Sequence, residues 1–112
     1  MTALYLAISF NDINAVNLLL SNARIDPNIL ASHKIKKIIN DVESPVSYYE
    51  ESPLHLCAKR LYKPYILSLM ELPVTNLEIK DSDGKKPEDF LNIFESCKDL
   101  LDLFSQKKNK NH

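Results

Sequence analysis

The chain has 112 residues, 45% of them hydrophobic and 26% charged, with a formal net charge of -1. These are the proportions of one small, soluble folded domain, and they argue against a disordered segment and against the broad basic field of a nucleic-acid binder. No apolar run approaches the roughly 18 residues of a membrane span, and no charged-then-apolar leader marks a secretory signal.

In chain order, the first element is a short helix headed by Thr2, with the run Thr2-Ala3-Leu4-Tyr5-Leu6-Ala7. Val16-Asn17-Leu18-Leu19-Leu20 supplies the apolar stripe of a second helix, followed by Asp26-Pro27-Asn28. Then comes a segment that interrupts the pattern, between Asn28 and Ser52. Within it Ile35, Ile38, Ile39 and Val42 fall at i, i+3, i+4 and i+7, with Lys34, Lys36 and Lys37 mostly elsewhere on the wheel. The spacing predicts an amphipathic helix capped by Ser32 and stopped by Ser44-Pro45. A β-hairpin is the alternative, because isoleucine and valine favour strands. The apolar stripe either packs on neighbouring helices or, with Tyr48 and Tyr49 after it, forms part of a partner-binding edge.

The design of the first element returns in Ser52-Pro53-Leu54-His55-Leu56-Cys57-Ala58. The Ser52 hydroxyl can cap a helix start, and Pro53 suits the first helical position, where no amide donor is needed. Tyr65, Ile66, Leu69 and Met70 give a second helix, with Pro64 near its start. Leu77 to Pro87 then forms a turn around Gly84, the only glycine of the chain, at a position where positive φ is wanted. Pro87, Phe90 and the stripe Leu100, Leu101, Leu103 and Phe104 make a third, degenerate copy, in which Lys86 replaces the capping residue and Asp89 the histidine. The polar run 106–112 reads as a frayed tail.

These motifs resemble the ankyrin repeat family. Ser52 to Ala58 is similar to the T-P-L-H-x-A signature, and Leu77 to Pro87 to the V-N-x-K-D-x-x-G-x-T-P finger. From Ser52 to Lys86 is about 34 residues, close to the roughly 33-residue period of that family. From Thr2 to Ser52 is about 50, so the first finger holds an insert of roughly 16 residues. The family's glycine between the two helices is replaced by Asn11 and Leu61. Asparagine tolerates left-handed backbone and leucine does not, so the turn at Leu61 is where the pattern fits least.

The resemblance implies an all-α fold, an ankyrin-repeat solenoid of antiparallel helix pairs with short hairpin fingers. Repeat 1 spans about 1–28, the inserted finger about 29–50, repeat 2 about 51–79 and repeat 3 about 80–105. It also implies a non-catalytic module that binds a protein partner through finger tips and exposed positions of each first helix. The finger candidates are Tyr48, Tyr49, Glu51, Ser82, Asp83 and Lys85; the first-helix candidates are Ser9, Phe10, Lys59 and Arg60. Phe10 is either an exposed anchor or packed under the long finger, and Lys59 and Arg60 are either contacts or solvated charges. His55 takes a structural role, its imidazole bonding near the finger.

Catalytic chemistry is not indicated. The three histidines, of which His33 is expected to face solvent, and the two cysteines lack zinc-ligand spacing, and one glycine rules out a phosphate-cradling loop. No metal, cofactor or small-molecule substrate is expected. Cys57 and Cys97 sit in helical apolar stripes and read as buried thiols in a reducing, cytoplasmic compartment. The Asn-, Lys- and Ile-rich composition is compatible with a viral or bacterial effector-type modulator delivered to a host cell. Two rival readings stand beside protein recognition. One is a structural fragment that stacks or self-associates through Leu100 to Phe104; the other is anionic-surface or nucleic-acid binding through Lys34, Lys36, Lys37 and the tail.

Overall fold

A computed structural model of the chain describes residues 2–22, 24–35, 38–39, 42–43, 47–94 and 97–109. Helix α1 (Ala3–Ser9) begins where Thr2 stays extended and its hydroxyl accepts the Tyr5 amide at 3.2 Å. Helix α2 (Ile13–Leu20) begins at Asp12, whose carboxylate accepts the Ala15 amide at 3.2 Å. Side-chain caps of this kind contribute about 1 kcal/mol each.

The second pair is α3 (Pro53–Arg60) and α4 (Lys63–Glu71). Ser52 caps α3 in both directions: its Oγ accepts the His55 amide, and its own amide donates to His55 Nδ1 at 3.1 Å. The third pair is the short α5 (Pro87–Leu91) and the longer α6 (Lys98–Asn109). Here Asp89 does what His55 does in α3, reaching back to accept the Lys86 amide at 2.9 Å.

Helices pack within each pair, and α1, α3 and α5 pack side by side in chain order, with α2 against α4. Leu4, Ile8, Val16, Leu54, Cys57, Ile66, Leu69, Leu91 and Phe104 fill the interior between the two layers. The interhelical turns of the first two pairs use left-handed backbone, at Asn11 (φ 54°) and Leu61 (φ 55°). Leucine bears about 1–2 kcal/mol of strain there. Leu61 is nonetheless held, because its amide and that of Tyr62 donate to the Ala58 and Cys57 carbonyls at 3.3 and 3.0 Å. Its side chain also packs on the core.

The loops leaving the second helices correspond. Asp26 Oδ1 accepts the Asn28 amide and Asn76 Oδ1 the Glu78 amide, each an Asx turn. Asn28 also joins the two loops, donating to the Val74 carbonyl at 2.8 Å and accepting the Asn76 amide at 2.7 Å.

The insert departs from the helical expectation, and with it the fold from all-α. Strand β1 (Ala31–Ile35) pairs antiparallel with β4 (Ser47–Glu51), and β2 (Ile38–Ile39) with β3 (Val42–Glu43). The chain is therefore helix-rich, with six helices and a small antiparallel sheet structure among the described residues. The physical reason is a partner: residues 47–51 offer a second extended segment, so β-branched residues that suit a strand gain a ladder. Lys36, Lys37 and Ser44-Pro45 lie outside the described residues. Val42, a member of the apolar stripe expected to pack on neighbouring helices or form a partner-binding edge, is 68% exposed.

The C-terminal run is helical further than expected. Helix α6 continues to Asn109, and Lys107 donates to the Met70 carbonyl at 3.0 Å while Lys108 pairs with Glu88 at 2.7 Å and Glu78 at 3.6 Å. Residues 110–112 lie outside the described residues. Among the described residues no helix is long and apolar enough to cross a membrane.

Candidate interaction surface

The two fingers meet the first helices at the start of α3. Alternation along the hairpin sends Ala31, His33, Tyr49 and Glu51 to the inner face and Ser32, Lys34, Tyr48 and Glu50 to the outer one, as the register requires. The inner face lies over α1 and α3. Tyr5 donates its hydroxyl to Glu51 Oε1 at 2.6 Å, and the His33 ring packs against the Tyr5 ring with centroids 5.3 Å apart. The other carboxylate oxygen of Glu51 accepts from Lys59 Nζ at 2.6 Å. Lys59 also donates to the Tyr49 hydroxyl at 2.7 Å, and that hydroxyl donates to Asp81 Oδ2 at 2.6 Å.

Asp81 belongs to the second finger, where its Oδ1 accepts the amides of Asp83 and Lys85, both at 2.9 Å. Gly84 turns that finger with φ at 79°, as its sequence position demands. His55 Nε2 reaches the Lys85 carbonyl at 2.8 Å while Nδ1 accepts the Ser52 amide, which fixes the neutral Nε2–H tautomer. The structural role expected for His55 is the one it has.

The electrostatics follow from these contacts. Burial, and then hydrogen bonds to Glu51 and Asp81 respectively, push the Tyr5 and Tyr49 phenols well up, so both remain protonated donors. Burial holds the His55 imidazole low, against the opposing pull of the Lys85 carbonyl. For Asp81 burial acts upward, but the Tyr49 hydroxyl and the Lys85 and Asp83 amides outweigh it, and the carboxyl ends below its usual range. Burial pushes the Cys57 thiol up to about 12, the state of an inert thiol rather than a nucleophile. Each acid and base of this network already has a partner that ties a finger to a helix. Among the described residues no group of three or more His, Cys, Asp or Glu side chains could hold a metal ion.

The residues singled out from sequence separate into two sets. Glu51 is 4% exposed and sits inside the network, away from any finger tip. Tyr49 and Lys59 are half-buried in the same network, and Lys59 lies 4.1 Å from the Tyr49 ring centroid. Ser82 is spent on the first finger: its amide donates to the Glu50 carbonyl at 3.0 Å and its Oγ accepts the Glu50 amide at 2.9 Å. Ser9 is half-buried, its carbonyl accepting Arg60 Nη1 at 2.7 Å.

The others face outward. Phe10 is 79% exposed rather than packed beneath the finger, Tyr48 is 62% exposed, and Arg60, Asp83 and Lys85 are exposed as well. Leu6, one helical turn before Phe10, adds a partly exposed apolar side chain that sequence reading did not select. It also did not select Tyr5, His33 or Asp81 as network members, and His33 is half-buried instead of solvent-facing. Period-two alternation in 31–35 and 47–51 was the available signal for His33; nothing local marked Tyr5, which meets Glu51 across 46 positions.

Three helix pairs follow one another along the chain, with fingers joined to the starts of their first helices, which is the arrangement of a helical repeat. Residues 1–32 match the model of the ankyrin repeat family, which supports for this chain the family its finger and helix motifs resemble. The match ends just inside β1, where the insert departs from the repeat period. No curated protein and no solved structure matches the chain. Ankyrin repeats generally mediate protein–protein interaction and are generally not catalytic.

Proposed function

We propose that the chain is an ankyrin-repeat solenoid of three helix pairs that binds a protein partner, without chemistry, through its exposed first-helix and finger residues. The observation that carries this reading is the exposure of Phe10 and Tyr48 on a chain whose fingers are tied to the first helices and to each other by hydrogen bonds. Large aromatic side chains held on a fixed backbone lose little entropy on binding and serve as anchors. Arg60, Asp83 and Lys85 add exposed charges of both signs. Such a module acts inside a cell by inhibiting, scaffolding or targeting its partner, and its free thiols suit a reducing compartment.

The rival readings draw less support. Leu100 and Phe104 are buried within this domain, so the stripe proposed for stacking is already used. Lys107 and Lys108 of the basic run are tied to Met70, Glu88 and Glu78.

Affinity capture from cell lysate, with wild type beside Phe10→Ala/Tyr48→Ala, tests the proposal. Loss of a captured protein by the double variant, at unchanged thermal stability, supports it. Retention of every wild-type partner at equal yield removes this surface from consideration.

A further inference from the structure

The outer edge of the first finger is an open strand. Both backbone groups of Glu50 face the second finger, where they bond the amide and hydroxyl of Ser82. In an antiparallel ladder, a residue whose N–H and C=O point away from its neighbour is opposed by one that does the same on the far side. Ser32 is paired with Glu50 and Lys34 with Tyr48. The N–H and C=O of Ser32 and Lys34 therefore point away from β4, and among the described residues neither backbone has a bonding partner. Both residues are exposed. On β4 the second finger covers the equivalent edge at Glu50, whereas β1 is open at both Ser32 and Lys34.

Charge selects what can close it. Lys34 stands on the outer face of β1, and the sequence continues Ile35-Lys36-Lys37. Lysines on an edge oppose pairing with a second copy of the same strand, because like charges then face each other. They favour a strand that carries carboxylates. Tyr48, opposite Lys34 on the same face, adds an exposed aromatic surface beside it.

We propose that the β1 edge binds an extended acidic segment of a protein partner by strand addition, with backbone hydrogen bonds at Ser32 and Lys34 and carboxylates set against Lys34. This deepens the protein-binding reading and rests on it, but it uses backbone groups where that reading used Phe10 and Tyr48.

The probe is a fluorescein-labelled, capped eight-residue peptide of alternating valine and glutamate, titrated by anisotropy at low salt. Saturable binding to the wild-type chain is expected. Ser32→Pro removes an outward N–H and no ladder donor, so it should leave the hairpin folded and weaken binding about tenfold. Lys34→Glu should weaken binding by a similar factor, and the Ser32 and Lys34 amides should gain hydrogen-exchange protection when peptide is present.

Absence of saturable binding overturns the proposal. So does equal binding of a peptide N-methylated on alternate residues, in both registers, or of one with lysine in place of glutamate. Sedimentation showing a dimer that Ser32→Pro dissociates would assign the edge to a second copy and overturn it too. Phe10→Ala should leave peptide affinity unchanged; if capture survives Phe10→Ala/Tyr48→Ala while Ser32→Pro loses peptide, the side-chain surface fails and the strand edge stands.

Discussion

The two fingers do the same job, carrying the chain from one helix pair to the next, by opposite means. The second is closed locally: Asp81 accepts amides two and four residues ahead, and Gly84 supplies the left-handed turn. The first is closed at a distance, by Tyr5 to Glu51, Lys59 to Glu51 and Tyr49 to Asp81. A short finger thus closes its turn with its own residues and is then tied to its neighbours, whereas a long one also needs what lies beneath it to close. Entropy explains the difference, since a longer loop must gain contacts elsewhere to offset its greater freedom.

The largest test of this contrast is Glu51→Ala. It leaves Lys59 and Tyr5 without their shared acceptor, and should cost about 3 kcal/mol in urea unfolding. Exchange protection should fall across 31–35 and 47–51 and stay unchanged at the Asp81 turn; uniform loss in both fingers would break the distinction. Asp81→Ala is the converse with a twist, because Asp81 serves both fingers. It should cost about 2 kcal/mol and loosen both, and if only the second finger loosens, the Tyr49 bond does not hold the hairpin.

Acid should act through two groups. The His55 imidazole is held below its usual range, so the stability from its neutral form is complete above about pH 6.5 and is lost as pH falls through the lowered value. Asp81 is also lowered, so its contribution is present above about pH 4 and disappears at more acid pH. Thermal melts from pH 7.5 to 5 should show the first loss in wild type and a reduced slope in His55→Gln. Equal slopes would refute the assignment to His55.

Gly84→Ala should cost about 1 kcal/mol from backbone strain alone, because an added Cβ meets nothing within 4 Å. Smallest is the pair at the second interhelical turn. Leu61→Ala loses packing without relieving φ and should cost about 1 kcal/mol, whereas Leu61→Asn trades packing for tolerance and should change stability by under about 0.5 kcal/mol. Equal effects from the two would mean that the left-handed turn is not strained.

Much of the frame was legible because its signals are local. Thr2 and Ser52 each satisfy an amide three residues ahead, so a cap is visible in a short window. Gly84 and His55 were legible for a similar reason, one by its backbone need and the other by its place in a motif. The hairpin was not, since Ile35, Ile38, Ile39 and Val42 satisfy helical spacing as well as they satisfy strand propensity. Only pairing with 47–51 breaks that tie. The surface divided in the same way: Phe10 and Tyr48 remain open, while Glu51, Tyr49 and Lys59 are consumed by one another.

By itself the sequence determined the helix starts at Thr2 and Ser52, where the backbone must turn left-handed at glycine, and that the first junction exceeds the repeat period. Those features follow from bonds and torsions within a few residues. The tertiary structure alone decided that the excess is a hairpin, which of its faces is pinned to α1 and α3, and which strand edge stays open. Those outcomes depend on partners that range from the opposite strand of the hairpin to a residue 46 positions away, and no local pattern specifies whom a side chain or a strand edge will meet.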